Sequence, residues 1–268
     1  MPQIMTNSFQ FIKAEKLEAE SIWVLTIDHP PANILTFAIL DELETLFGQF
    51  QKDMKAKVVI LTGAGERAFS AGAELNGIMG IKSADDGEKI VRRVQTLFNK
   101  IENSEKPVIG AINNLCLGGG NELALACHIR VASERAKFGQ PEINLGIIPG
   151  WGGTQRLPRL IGISRARKLI LTGDIISSKE AFEFGLVDEV VAHGHALNQA
   201  IDLAKKIIRN GQMGVRLCQR AIREGMEKPL SEGLEIEIDC FREVCKTDDM
   251  KEGLKAYKEK RLPEFKDR

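Results

Sequence analysis

The stretch CLGGGNELALACHIRVASERAKFGQPEINLGIIPGWGGTQ, residues 116–155, sets the frame for the rest of the chain. It opens on three consecutive glycines, Gly118–Gly120, and closes on a second cluster, Pro149-Gly150-Trp151-Gly152-Gly153. Glycine is selected where a backbone must take positive φ or where another group must approach the main chain closely. Between the clusters stand two glutamates, Glu122 and Glu142, each just beyond a turn dominated by backbone. Carboxylates beside exposed N–H groups point to acid/base work.

Two loops upstream share one design. The apolar run KVVIL (57–61) feeds TGAGERAFSAGAEL (62–75), and KPVIGAI (106–112) feeds NNLCLGGGNEL (113–123). Each run is suited to a buried strand, and each loop puts Gly and Ala where strand gives way to helix. Helix N-termini carry unpaired N–H groups and partial positive charge. Two such loops side by side can aim two N–H groups, those of Ala73 and Gly119, at one oxygen, which is an oxyanion hole. The plainer reading, that the glycines only permit tight turns, stands equally on spacing alone. A dinucleotide fingerprint fits poorly, since Leu123 occupies the place of the third small residue, and no GxxxxGK[ST] loop occurs.

Glu122 falls on the first turn of the helix expected over 119–127, where a carboxylate is often only a dipole partner. Glu142 follows Pro141 inside the apolar loop FGQPEINLGII, a setting that raises a carboxyl pKa and lets it pass a proton near neutral pH. Together, beside two Gly-rich loops, the pair fits proton transfer α to a carbonyl. His29, His128, His193 and His195 show no metal-ligand spacing, so no metal site is expected. His128 reads as structural, and His193 and His195 as solvent-facing. No serine sits in GxSxG, which disfavours nucleophilic acyl chemistry.

At 268 residues, with 43% hydrophobic and 28% charged residues, the chain can bury a sizeable core. Lys+Arg and Asp+Glu are both 37, which argues against nucleic-acid binding as its main role. Five scattered cysteines without a CxxC pair suggest a reduced setting. The N-terminus lacks an apolar signal region and no run is long enough to span a membrane, so a cytoplasmic protein is expected. Strands are expected over 8–13 and 21–27, ended by His29-Pro30-Pro31, and a helix over 35–52 with Thr36 as its cap. A further helix is expected over 85–103, a capping box at Ser177 and Glu180, and a short strand over 187–191. From residue 196 on the pattern is helical: 196–209, 212–226, 230–245 and 247–258. A boundary near 195 therefore divides an α/β domain, 1–195, from a helical region, 196–268, that must pack back on the first or on another chain.

The motifs PPAN (30–33), AFSAGAEL (68–75), KPVIGAINNLCLGGGNELALAC (106–127), FGQPEINLGIIPGWGGTQRLPR (138–159), LTGDIISSKEAFEFGLVDEVV (171–191) and EGLKAYKEKRLPEF (252–265) closely resemble enoyl-CoA hydratases of the crotonase superfamily. The resemblance covers essentially the whole chain. It implies a spiral of ββα units with a helical C-terminal trimerisation region, in a homotrimer or a dimer of trimers. It implies an acyl-CoA thioester as substrate, with coenzyme A as part of that substrate and no separate cofactor. On this likeness Ala73 and Gly119 match the donors that hold the thioester oxygen. Glu122 matches the group that activates a water for attack at C3, and Glu142 the group that protonates C2. The coenzyme A tail would pass Ala32, Ala71 and Gly72, with Tyr257 and Lys260 contributing from the C-terminal region.

Two positions depart from the family pattern. Asn76 stands where many relatives carry a phosphate-binding lysine, and Trp151 where many hydratases have a small residue. A bulky indole there either reshapes the acyl pocket or packs against the adjacent loop. Isomerisation of an enoyl-CoA, or dehydration of a carnitinyl-CoA-like substrate, is the alternative on the same scaffold. RNA binding through Arg156, Arg159, Arg165, Arg167 and Lys168 is a distant one, given zero net charge and few aromatics for stacking.

Overall fold

The computed structural model describes residues 3–4, 9–17, 19 and 21–268. Among them, seven strands form one sheet in the order β1 (Gln3–Ile4), β2 (Ile12–Leu17), β3 (Ile22–Ile27), β4 (Val58–Gly63), β6 (Val108–Ile112), β8 (Ile129–Ser133) and β11 (Glu189–Val191). The first three are antiparallel, and from β3 onward every pairing is parallel. A second sheet runs β10 (Ile175–Ser177), β9 (Lys137–Gly139), β7 (Leu115–Leu117), β5 (Ala68–Ser70), with β5, β7 and β9 parallel.

The two sheets are fed alternately. The chain leaves β4 for β5, returns through helices to β6, leaves for β7, and returns to β8 before β9. Each winding thus lays one strand on each sheet beside its predecessor. The register carries Ala68 next to Leu115 and Leu115 next to Lys137, so the segments after β5, β7 and β9 emerge on one side, a strand spacing of about 4.8 Å apart. The central strands are buried on both faces; all six residues of β4 and all five of β6 are buried. This is why VVIL and VIGAI read as continuous apolar runs rather than alternations.

Helix α1 (Phe37–Lys52) turns Ile39, Leu40, Leu43, Leu46, Phe47 and Phe50 inward. Thr36 caps it, its side chain accepting from Ile39 N at 3.2 Å. Helix α3 (Ala84–Glu102) buries Val94, Leu97, Phe98 and Ile101. Short α2 (Leu75–Met79), α4 (Gly119–Ala126), α5 (Gly153–Ile161) and α6 (Ile163–Thr172) link the windings. Helix α7 (Ser178–Phe184) begins in the expected capping box, with Ser177 and Glu180 bonded reciprocally.

The first expected strand is displaced. It lies at 12–17 rather than 8–13, because the N–H groups of Gln10, Phe11 and Ile12 are taken by the Glu42 carboxylate at 2.7, 2.9 and 2.9 Å. Residue 8 of that expectation lies outside the described residues.

Beyond residue 195 come α8 (Ala196–Ile208), α9 (Gln212–Gly225), α10 (Leu230–Val244) and α11 (Asp248–Glu259). Helix α8 lays fully buried Ala200 and Ala204 against Val24, Val58, Ile60, Ile109 and Val131, closing one face of the large sheet. Helices α9 and α10 cross at Gly225 and Gly233, where a Cβ on either would touch the other's backbone. They leave Ile222, Met226, Leu230, Leu234, Ile238 and Phe241 exposed. No helix among the described residues is long and apolar enough to cross a membrane.

Candidate active site

The segments that emerge together enclose a cavity of about 440 Å³. Ala71, Gly72 and Ala73 reach it from the first winding, Gly118, Gly119 and Glu122 from the second, and Pro141, Glu142 and Trp151 from the third. Leu35, Phe37, Ile81, Ile90 and Val91 supply an apolar wall.

Ala73 forms a parallel bridge with Leu35. Its neighbours satisfy that bridge, Leu35 N donating to Gly72 O at 2.8 Å and Glu74 N to Leu35 O at 3.0 Å. The Ala73 N–H therefore points away from Leu35. Gly119 N opens α4, in the first turn where helical N–H groups have no intrahelical acceptor. Among the described residues neither N–H is given an acceptor. They lie close together, since a Cβ on Gly119 would fall 3.4 Å from Ala73 N.

Each glycine of the triplet has its own reason. Gly118 has φ +51°, and a Cβ there would sit 2.8 Å from Glu142 Oε1. At Gly119 the Cβ would lie 2.5 Å from the Trp151 ring, and at Gly120 2.3 Å from Ser70 O. All three lie where any side chain would collide. The plain tight-turn reading thus accounts for Gly118 in part, but not for the closeness required at Gly119 and Gly120.

Glu122 is only 2% exposed. Its Oε1 accepts from Trp151 N and Gly153 N, both at 2.7 Å. Burial pushes its carboxyl up to about 8; the two N–H groups and Arg156 oppose the shift, and the neighbouring Glu142 adds to it. Glu142 lies in a 3-10 turn, Pro141–Leu145, and burial pushes it up to about 7. Gln140 is fully buried, and with its amide nitrogen facing Glu142 it reaches both carboxylate oxygens at 3.2 Å. Two like carboxyls in one cavity titrate as a unit, so the pair carries a proton close to neutral pH. Such a cavity can activate a water with one carboxylate, deliver a proton with the other, and stabilise an oxyanion with two N–H groups.

Trp151 does both things open to it. Its ring meets Phe98 edge-on, centroids 6.0 Å apart at 90°, and lies over Gly119, yet it also lines the cavity. The remaining expected contacts lie outside the cavity lining. Ala32 touches the site through its backbone, accepting from Ala71 N at 3.0 Å. Asn76 is exposed on α2, Tyr257 is 87% exposed on α11, and Lys260 is exposed at that helix's left-handed C-cap.

His128 is structural, as expected: Val108 N donates to Nδ1 at 2.9 Å, Nε2 meets Glu102 O at 3.0 Å, and burial lowers its pKa. His195 is exposed, but His193 is half-buried, with Nε2 3.6 Å from Glu66. Of the basic residues considered for RNA, Arg156 is bonded to Glu102 and Arg165 stacks on Phe184 at 4.8 Å. No group of His, Cys, Asp and Glu suited to a metal occurs among the described residues. Sequence reasoning missed Gln140 and the Trp151 and Gly153 N–H donors to Glu122. The closing glycine cluster hinted at the donors; nothing marked Gln140.

The model of the enoyl-CoA hydratase/isomerase family matches residues 18–268. A short-chain-enoyl-CoA hydratase of Clostridium acetobutylicum is 43% identical over 94% of this chain and 97% of its own length. A crotonyl-CoA hydratase of Syntrophomonas wolfei is 42% identical over 92% of this chain and 95% of its own. The crystal structure of an enoyl-CoA hydratase from Bacillus anthracis superposes with a TM-score of 0.91 at 43% identity, covering 97% of this chain and 100% of that one.

Proposed function

The chain belongs to the enoyl-CoA hydratase/isomerase family, and from that premise we propose how it adds water to a trans-2-enoyl-CoA to give a 3-hydroxyacyl-CoA. The thioester oxygen accepts from Ala73 N–H and Gly119 N–H. Attack at C3 moves charge onto that oxygen, and two fixed donors relieve it at the moment it builds; losing one such donor costs about 3 kcal/mol in the transition state. One water lies between the carboxyls. Glu122 orients it and takes its proton as oxygen bonds to C3, and Glu142 gives a proton to C2 on the same face. The reverse steps dehydrate the product.

One observation carries this reading: two carboxyls raised toward neutral pH share a cavity with two adjacent N–H groups that have no acceptor among the described residues. A coupled pair lets one member be a base while the other is an acid. The chemistry is proton transfer and needs no cofactor beyond the substrate's own coenzyme A. On this reading the coenzyme A tail would run past Ala32, Ala71, Gly72 and Asn76, with Tyr257 and Lys260 contributing from the C-terminal region. Exposed Ile222, Met226, Leu230, Leu234, Ile238 and Phe241 support a homo-oligomer, a trimer or dimer of trimers, which light scattering would measure. A cytoplasmic location agrees with the scattered free cysteines.

The test is loss of the crotonyl-CoA enone absorbance, with Glu122→Gln and Glu142→Gln alongside. Hydration by the wild type and its collapse in both variants is expected. A wild type inert on straight-chain 2-enoyl-CoAs that still moves a 3-enoyl double bond would transfer the assignment to isomerisation.

A further inference from the structure

Glu122 is held by a turn, and the turn is held from α3. The donors to Glu122 lie on the peptides preceding Trp151 and Gly153, either side of the Trp151–Gly152 peptide. That middle peptide must turn its carbonyl away from the carboxylate. The Trp151 carbonyl accepts from Arg156 Nη1 at 3.1 Å. Gly152 has φ +121°, and a Cβ there would fall 2.0 Å from Arg156 Nη1, so the turn is wrapped around the guanidinium. The rest of the guanidinium is committed to α3: Nε and Nη2 reach Glu102 Oε2 at 2.9 and 2.7 Å, and Nη2 reaches Asn99 Oδ1 at 2.6 Å. One α3 residue acts directly, Gln95 Nε2 donating to Gly150 O at 2.7 Å. Gln95, Asn99 and Glu102 follow one another at four and three residues, a single helix face.

We propose that Arg156 is a positioning residue for Glu122: it transmits the fixed face of α3 to the 150–153 turn and so sets the direction of the carboxylate that faces substrate. The inference rests on the reading of Glu122 as catalytic. A planar guanidinium suits the task because its rigid fork reaches its partners from three nitrogens in one plane, whereas an ammonium offers rotatable donors from a single nitrogen. The charge acts in the same sense, since Arg156 favours the ionised form of Glu122 against burial and against Glu142. Glu102, Glu142 and Arg156 are the charged groups that bear on this arrangement.

The experiment measures kcat, KM and the pH profile of crotonyl-CoA hydration for Arg156→Ala, Arg156→Lys, Glu102→Gln and Glu122→Gln. Melting temperature is recorded for each. Arg156→Ala is expected to lose roughly tenfold to a hundredfold in kcat with KM little changed, the scale of a misplaced catalytic group. Its pH profile should move upward, and added guanidinium ion should restore part of kcat. Arg156→Lys should keep the pH profile yet lose kcat, and Glu102→Gln should fall between. If Arg156→Ala does not fold, Arg156→Lys and Glu102→Gln decide the matter: wild-type kcat in both overturns the inference. A folded Arg156→Ala that changes only KM, or whose pH profile and guanidinium response match the wild type, overturns it as well. Full activity in Glu122→Gln would instead remove the catalytic reading beneath it.

Discussion

Lys106 and Glu122, in two regions of this molecule, are both buried ionisable side chains, and they serve opposite ends. Lys106 is 8% exposed at the foot of α1, where its ammonium meets the carbonyls of Phe50, Gln51 and Asp53 at 3.1, 3.1 and 2.8 Å. Those are three acceptors for three N–H groups at the end of a helix; Phe50 O and Asp53 O also accept from Asp53 N and Ala56 N, so the ammonium takes up the second lone pair of each. Glu122 is buried at least as deeply, but both its donors fall on Oε1, and among the described residues Oε2 receives none. A saturated charge is a fastener, whereas a half-satisfied one beside a cavity retains capacity for a ligand. Burial alone does not separate the two; the count of unused hydrogen-bonding sites does.

The largest effect should come from emptying the unsaturated side. Glu122→Gln or Glu142→Gln is expected to lower kcat for hydration by roughly a hundredfold to ten-thousandfold. A loss below tenfold in either would end the equivalence between unused capacity and catalysis. Next comes Gly119→Ala, which drives a methyl into the Trp151 ring and displaces the adjacent N–H. A fall in kcat of about a hundredfold is expected. Adding Trp151→Ala to it should recover part of the loss if the clash is its cause.

Lys106→Met tests the other region. Stripping three carbonyls of their donor should lower unfolding free energy by about 2 kcal/mol, read in urea, while kcat stays at the wild-type value. A catalytic defect in this variant would erase the distinction drawn above.

The remaining effect concerns stability against pH. Burial raises the folded-state pKa of Glu122 from its ordinary 4.5 to about 8. Between these values the folded state binds the proton more tightly than the unfolded chain, so the wild type loses stability as pH climbs through that window. Glutamine has no such penalty and can still accept from Trp151 and Gly153. Glu122→Gln should therefore gain on the wild type between pH 5 and pH 8, by at most a few kcal/mol. A variant that instead falls behind as pH rises would mean that the carboxylate is a fastener after all.

Much of this was legible in the chain itself. Val58–Leu61 and Val108–Ile112 announce buried strands because no residue in them wants water, and Gly118–Gly120 announce close approach because no side chain fits. Glu142 stood out through its apolar loop. The strand at 12–17 reads too early in the sequence because the apolar Phe9 and Phe11 extend its pattern, while Glu42, far along the chain, takes the N–H groups that a longer strand would need. The supports of Glu122 were hidden for a related reason. Main-chain N–H groups have no letter, and Gln140 or Gln95 looks like any other glutamine until the fold decides what it faces. The departures seen at Asn76 and Trp151 had different outcomes: one lies in solvent, the other forms part of the cavity wall.

The alternation of the chain between two sheets also bears on how this chemistry can change. Ala73 follows β5, Gly119 and Glu122 follow β7, and Glu142 follows β9. Each circuit of the chain delivers its own ingredient to a common opening, and the parallel ladder fixes their spacing regardless of the loops' composition. The carboxyl of the third circuit, Glu142, can then be lost, moved or replaced without disturbing the pair of N–H groups, proposed to grip a carbonyl, that the other two assemble. Selection, or an engineer, can edit such a catalyst one circuit at a time.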